Sequence, residues 1–297
     1  MNNNLFVSGG NGFVGGNLIR YLEGNFEIHR ITNFDNTNLY DCVIHLAGKA
    51  HDLKNTSNPD EYYEVNTELT KIVFDAFLVS DAKVFITLSS VKAVADEVLG
   101  ELNEEHIPNP ITHYGKSKLL AEQYILSKDI PKGKRVYILR PCMIHGPGNK
   151  GNLNLLYKLV SKGIPWPLGV FENKRSFCSI DNLMFVFIEL IEREDIPSGV
   201  YNVADDAPLS TNEVISILAE SQYRKANIWK VYKGLIQSLA KLGDVLRLPL
   251  TTERLQKLTE SYVVSNQKIK TAIGKDLPVS AKDGLLKTFN SFHINAQ

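Results

Sequence analysis

A strand, a glycine-rich turn and a helix follow one another within the first 23 residues, and that order restricts the fold more than any other feature of the chain. Leu5–Ser8 is a short apolar run, and Gly9-Gly10-Asn11-Gly12-Phe13-Val14-Gly15 follows it directly. Phe13–Glu23 then places Leu18, Ile19 and Leu22 at helical spacing before Gly24. Glycines at 9, 12 and 15 meet three needs: a tight turn, close backbone approach to a pyrophosphate, and tight packing of helix on strand. The helix N-terminus adds N–H groups and the positive end of its dipole. The turn therefore implies a dinucleotide, with Gly9, Gly12, Phe13, Val14 and Gly15 around its phosphates.

An acid usually stands about 20 residues beyond such a turn and binds the adenosine ribose. None sits at the tip of the second strand, Ile31-Thr32-Asn33, where Asp35 is the nearest carboxylate and Arg30 could face a 2′-phosphate. NAD and NADP both stay open. Thr32–Asp41 is also too short for a full helix before the next strand.

The alternation continues. Phe26–Ile31, Cys42–Leu46, Lys83–Leu88 and Arg135–Leu139 are predicted strands, and Thr112–Ser127 a helix. A longer helix is expected from about Asp60 to Val79, with Val65, Leu69, Ile72, Val73 and Ala76 on one face. This is an α/β pattern: a Rossmann-type, doubly wound parallel sheet covered on both faces. After Pro141 glycine and proline punctuate Gly146–Gly151 and Gly163–Gly169, and the remainder is mostly helical with a strand-like run at Gly199–Val203. A chain of 297 residues suits one large or two joined domains. We expect residues 1–148 to form the dinucleotide-binding domain and residues 149–297 a smaller, mostly helical substrate lobe, with about 176–203 returning to the first.

Thirty-three basic residues balance 33 acidic ones, so no global field draws the chain to nucleic acid or to an anionic membrane. No apolar run approaches the length of about 20 residues that spans a bilayer. Met1-Asn2-Asn3-Asn4 lacks the pattern of a signal peptide, so a cytoplasmic location is expected. Cys42, Cys142 and Cys178 fit neither a disulfide framework nor a zinc site, so no metal is expected, and Cys42 and Cys142, in strand-like apolar runs, are read as buried thiols.

In Tyr114-Gly115-Lys116-Ser117-Lys118 the tyrosine and second lysine are four residues apart at the start of a helix, hence on one face. A cationic Lys118 beside the phenol would favour its ionised form and fit it for proton exchange near neutrality. Ser89-Ser90 ends the strand Lys83–Leu88, where a hydroxyl reaches the ligand-binding edge of such a sheet. His51, His106 and His113 lie near these motifs but lack metal-ligand spacing, and His45 is read as a core histidine.

Taken in order, Gly9–Gly15, Val43-Ile44-His45-Leu46-Ala47-Gly48, Asn66 in Val65-Asn66-Thr67, Ser89-Ser90, Tyr114–Lys118, Leu139-Arg140-Pro141 and His145-Gly146-Pro147-Gly148 resemble the extended short-chain dehydrogenases/reductases of the sugar-nucleotide epimerase/dehydratase group. The resemblance implies that Tyr114 is the acid/base, Lys118 its electrostatic partner and ribose ligand, and Ser90 the hydroxyl on the reacting oxygen. It places Ala47, Gly48, Asn66 and Pro141 by the cofactor, NAD or NADP. Met143 and His145 stand where relatives often have Asn and Tyr.

The same resemblance extends to the second lobe. Gly151-Asn152-Leu153 matches the segment that meets a nucleotide sugar's diphosphate, giving Asn152 and Leu153 as substrate residues. Asn173-Lys174-Arg175-Ser176-Phe177 matches the segment whose arginine grips that diphosphate, and a forked guanidinium favours Arg175 over Lys174. Trp166 could frame a base pocket or fill the core, and Arg254 and Lys257 are read as surface charges. A dehydratase would carry an acidic pair after the strand-end hydroxyl, whereas Ser90 is followed by Val91-Lys92-Ala93. Hydride chemistry at hexose C4 remains. The first choice is reduction of a UDP-4-keto-(deoxy)hexosamine for surface polysaccharide, because the short Thr32–Asp41 wall suits an exchanging cofactor. The alternative is a UDP-glucose or UDP-N-acetylglucosamine 4-epimerase. A non-catalytic NADP-binding regulator would lack the Tyr–Lys pair. The expected partners are a UDP-sugar, no nucleic acid and no membrane, with a homodimer left open.

Overall fold

The structure is a computed structural model that describes residues 4–29, 40–49, 58–149, 152–246, 248 and 250–294. Its strands are β1 Asn4–Ser8, β2 Glu27–His29, β3 Cys42–His45, β4 Val84–Leu88, β5 Glu101–Leu102, β6 Arg135–Pro141, β7 Met143–His145, β8 Phe177–Ser179, β9 Gly199–Val203 and β10 Val263–Val264. Its helices are α1 Phe13–Leu22, α2 Pro59–Tyr63, α3 Leu69–Val79, α4 His113–Leu126, α5 Asn152–Ser161, α6 Ile180–Glu192, α7 Thr211–Ser221, α8 Lys233–Leu246, α9 Thr252–Thr259, α10 Gln267–Ile273 and α11 Ala281–Ile294.

Six strands form one parallel sheet in the order β2-β1-β3-β4-β6-β9. Successive strand residues point to opposite faces, which explains the nearly continuous apolar runs. Leu5, Val7, Ile44, Ile86 and Leu139 meet Leu18 and Leu22 of α1 and Leu183, Phe187 and Leu190 of α6 on one side. Phe6, Val43, Phe85, Val136 and Ile138 meet Val73, Phe74 and Phe77 of α3 and Ile125 of α4 on the other. From β1 the chain goes to β2 on one side and next to β3 on the other side of β1. Such a reversal opens a crevice at the carboxyl ends of the strands. The Rossmann-type sheet expected from the sequence is the fold observed.

The helix expected at about Asp60–Val79 is interrupted: α2 passes through a π-helical turn, Glu64–Glu68, into α3. Its buried residues include Asn66, Thr67, Thr70, Val73, Phe74 and Phe77, whereas Ile72 is exposed. The extra residue of a π-turn rotates all that follows, which displaces the apolar face read from an uninterrupted helical period.

Beyond the sheet, Leu153, Leu218, Leu285 and Phe289 bind α5, α7 and α11 together. Trp166, Ile215, Ile236 and Leu255 join α7, α8 and α9. Two short parallel pairs, β5 with β10 and β7 with β8, tie late segments to the edge of the large sheet. Among the described residues no helix is long and apolar enough to cross a membrane.

Candidate active site

The turn after β1 is built for backbone contact. Gly9 has φ +73°, and a Cβ there would stand 2.5 Å from the Ala47 nitrogen. A Cβ on Gly15 would stand 2.3 Å from the Gly9 carbonyl. α1 opens on Gly12 with no side-chain cap among the described residues, and a positive helix end of this kind suits a phosphate. Phe13 and Val14 pack partly onto the core, leaving their backbone for that role. Across the crevice, the Ala47 N–H donates to Ser8 Oγ at 3.4 Å, and Pro141 ends β6, buried and paired with Val203 of β9. These features fit an extended dinucleotide. Asp35 and Arg30, which bear on NAD against NADP, lie outside the described residues, as does His51.

Tyr114 and Lys118 occupy one face of α4. Thr112 caps this helix by accepting from Gly115 N at 3.2 Å, and the Asp96 carboxylate accepts from Ile111 N, Thr112 N and Thr112 Oγ1. Gly115 permits the close approach: a Cβ there would stand 2.3 Å from the Lys92 carbonyl. The first turn of α4 thereby rests on the 3-10 turn Val91–Ala93, whose N-cap is Ser90. The Ser90 hydroxyl accepts from Lys92 N at 3.2 Å and is hydrogen-bonded to Tyr114.

Lys118 is directed elsewhere than its spacing suggested. Its Nζ donates to Leu88 O, the last carbonyl of β4, at 2.9 Å. Burial lowers this amine to about 8, opposed by the charge of Glu122. Tyr114 is shifted upward, first by burial, with the Ser90 hydrogen bond opposing and the neighbouring Tyr62 adding to the rise. The expected lowering of the phenol by Lys118 is therefore not found: the ammonium faces the strand-end carbonyl, and desolvation dominates. A Cβ on Gly48 would approach Lys118 Nζ to 3.1 Å and Asn66 Oδ1 to 3.0 Å. Glycine there keeps the lysine tip and the loop after β3 together. At the same edge Ser89 Oγ is buried with no hydrogen-bond partner among the described residues.

Two buried groups position α4. Asn66 accepts from Lys49 N at 2.8 Å and donates to Lys49 O at 3.1 Å and Ser117 Oγ at 3.0 Å. It has no exposed surface, so the residue expected beside the cofactor clamps the post-β3 loop to α4. Thr67 Oγ1 donates to Ser117 O at 2.8 Å from the same π-turn. Glu122, one turn beyond Lys118, takes a two-pronged ion pair from Arg140 of β6, both side chains buried. His45 is the core histidine expected, bonded to Ser8 and Thr70 and lowered to about 3 by burial and then by Lys118. His106 and His113 are exposed.

Ser90 and Tyr114 open on a cavity of about 530 Å³ whose lining includes Lys92, Cys142, Met143, Arg175, Lys257 and Glu260. Cys42 is buried as expected and Cys142 only partly so, while Cys178 is buried as well. Arg175 sits between Leu209 and Tyr262 by backbone bridges, and its guanidinium reaches Lys257 O at 2.8 Å and Glu260 at 3.4 Å. Lys257, read as a surface charge, joins this wall and pairs with Glu253 at 2.6 Å. Arg254 is exposed and does not line the cavity. Leu153 is buried in the α5–α7–α11 cluster, so its side chain serves packing and does not line the cavity; Asn152 begins α5. Trp166 is core, with Nε1 donating to Asn212 at 3.2 Å. His145 is wholly buried, bonded to Thr288 Oγ1 and 3.5 Å from Asp205.

The chain is 28% identical to the UDP-glucose 4-epimerase of Vibrio cholerae over 98% of its own length and 96% of that protein. It is 26% identical to the GDP-6-deoxy-D-mannose reductase of Pseudomonas aeruginosa, covering 74% of this chain and 80% of the relative. The structure of UDP-N-acetylglucosamine 4-epimerase from Bacillus cereus superimposes with a TM-score of 0.75 at 20% identity, over 98% of both chains. The family model of the NAD dependent epimerase/dehydratase family matches residues 36–204. That match spans more than half of the chain and includes β3, Ser90, Tyr114, Lys118 and Arg175, and by it the protein belongs to the NAD-dependent epimerase/dehydratase family.

Proposed function

We propose that the chain interconverts an alcohol and a ketone at C4 of a nucleotide-linked hexose, using NAD or NADP. The observation that carries this is the hydrogen-bonded Ser90–Tyr114 pair on a cavity that Arg175 and Lys257 also line. When bound, the dinucleotide supplies or accepts the hydride. Gly9, Gly12, Phe13, Val14 and Gly15 hold its phosphates through their backbone, with Ala47, Gly48 and Pro141 lining the crevice. Lys118 binds its ribose, and Asn66 acts on it through the loop it clamps. Ser90 holds the C4 oxygen, and Tyr114 gives it a proton on reduction or removes one on oxidation. Burial keeps the Tyr114 phenol protonated at neutral pH, the state needed to donate to a ketone. Arg175 takes the sugar's diphosphate, exchanging Glu260 for phosphate oxygens, near the start of α5 at Asn152 and Leu153. In this reading residues 1–148 with about 176–203 serve the cofactor, and the rest of 149–297 serves the sugar.

Dehydration is disfavoured by Lys92, which brings a cation to the cavity beside Ser90 where that reaction calls for carboxylates. Net reduction of a UDP-4-keto-6-deoxy-N-acetylhexosamine is the finer reading. Epimerisation is the second, favoured by the full-length similarity to a 4-epimerase, and the Thr32–Asp41 argument against it falls largely outside the described residues. The test incubates purified protein with the keto sugar and NADPH or NADH, and separately with UDP-glucose or UDP-N-acetylglucosamine and no added cofactor. A reductase consumes one cofactor per sugar. An epimerase turns over without net consumption. Tyr114→Phe should abolish either activity by about 10²–10⁴-fold while cofactor binding persists, and a variant with near-full activity removes Tyr114 from the reaction.

A further inference from the structure

α8 is apolar on two faces. Ile236, Ala240 and Gly243 turn inward, the first two onto the cluster under Trp166. Leu235, Leu239, Leu242 and Leu246 recur at i, i+4, i+7 and i+11, which gives them a stripe of their own. These four leucines are 52%, 49%, 47% and 58% exposed, and Trp229 and Tyr232 just ahead of the helix are 55% and 79% exposed. Single exposed apolar residues need no explanation, but a contiguous stripe with two aromatics marks an interaction face.

Its charge departs from that of the chain. From Arg224 to Leu248 the sequence carries six basic residues and one acid, Asp244, within a chain of zero net charge. The Asp244 carboxylate accepts from Thr252 N and Oγ1 at the start of α9. Among the described residues, Lys225, Lys230, Lys233 and Lys241 have no carboxylate within 4.0 Å.

We propose that this face docks on an anionic phospholipid bilayer. Leucines on one side of a helix, aromatic rings suited to the headgroup level and the exposed Lys225 and Lys230 in the segment that leads into it are the components of an interfacial helix, whereas Lys233 and Lys241 line the groove toward α9. A second copy of this chain fits less well, because a two-fold interface would set the lysine-rich segment against itself. The balance of charge over the whole chain, which argued against membrane contact, conceals this local excess. Docking would also orient the enzyme: α8 packs on α9 through Ile236 and Leu255, and α9 supplies Glu253, Gln256 and Lys257 to the cavity wall.

The test is sedimentation of the full chain with vesicles of phosphatidylcholine alone or mixed equally with phosphatidylglycerol. The proposal expects pelleting with the anionic vesicles only, weakening as salt rises from ~0.05 to ~0.5 M. Leu239→Asp with Leu242→Asp should reduce the bound fraction about tenfold or more, with near-ultraviolet circular dichroism and C4 activity retained. Lys225→Glu with Lys230→Glu, which spares every leucine, should do the same. The proposal is overturned if the wild type stays in solution with anionic vesicles at low salt, or if both variants pellet as it does. It is equally overturned if the leucine variant only dissolves a self-associated species in analytical ultracentrifugation.

Discussion

One helical turn separates Tyr114 from Lys118, and their surroundings act on them differently. The spacing was legible because i and i+4 share a helical face whatever else the chain does. The destination of the amine was not, since nothing near Lys118 in sequence announces the Leu88 carbonyl 30 residues earlier. A pH dependence follows. Burial holds the folded-state amine near 8, below its ordinary value of about 10.4. Below pH 8 it is charged in both folded and unfolded chains, and its burial penalty is fully present. Between about 8 and 10.4 the unfolded chain holds a proton that the folded one has released, so this group makes stability rise with pH. Lys118→Met removes that contribution. Thermal unfolding of wild type and variant should therefore shift in favour of the wild type across pH 8–10, and a constant difference would count against a buried, downward-shifted Lys118.

At the scale of elements, the strands were read closely because both faces of the sheet are apolar; Gly199–Val203 was placed residue for residue. The helix after Pro59 was not, because an i→i+5 turn has no mark in residue type. That turn is what swings Asn66 and Thr67 onto α4. The other anchor, Glu122 with Arg140, was equally hidden: a glutamate midway along a polar-looking helix reads as solvent-facing until β6 supplies its partner. Removing one member leaves the other charge buried and unpaired, which typically costs about 3–5 kcal/mol. Glu122→Ala should lose stability on that scale in urea unfolding, while Glu122→Leu with Arg140→Met should lose far less. Equal losses in the two would mean that packing, not the ion pair, holds α4 to the sheet.

Over the whole molecule the site is assembled from segments far apart in the chain, and this was the least legible level. Arg175 could be named from its local motif, but not that Leu209 and Tyr262 would hold it between them or that Lys257 would join its wall. β9 returns to the sheet after the β8–α6 excursion, so the sheet and the cavity share one framework. A dinucleotide lying in the crevice would touch β1, β3, β4, α4 and the end of β6, so its binding should stabilise the sheet as a unit. At a hundredfold excess over Kd a ligand of the folded state adds about 2.7 kcal/mol, or ~4–5 °C in Tm for a chain of this size. Thermal unfolding with NAD, NADH, NADP and NADPH should therefore show a rise for one pair of cofactors, which names the one used. Gly48→Ala gives the control. Its methyl would stand 3.0–3.1 Å from Asn66 Oδ1 and Lys118 Nζ, so both tips must give way by a few tenths of an ångström while the fold stands. The variant should keep the Tm of the unliganded protein within a few degrees and lose most of the cofactor-induced rise. No rise with any of the four dinucleotides in the wild type would sink the assignment of Gly9–Gly15, Gly48 and Lys118 to a cofactor.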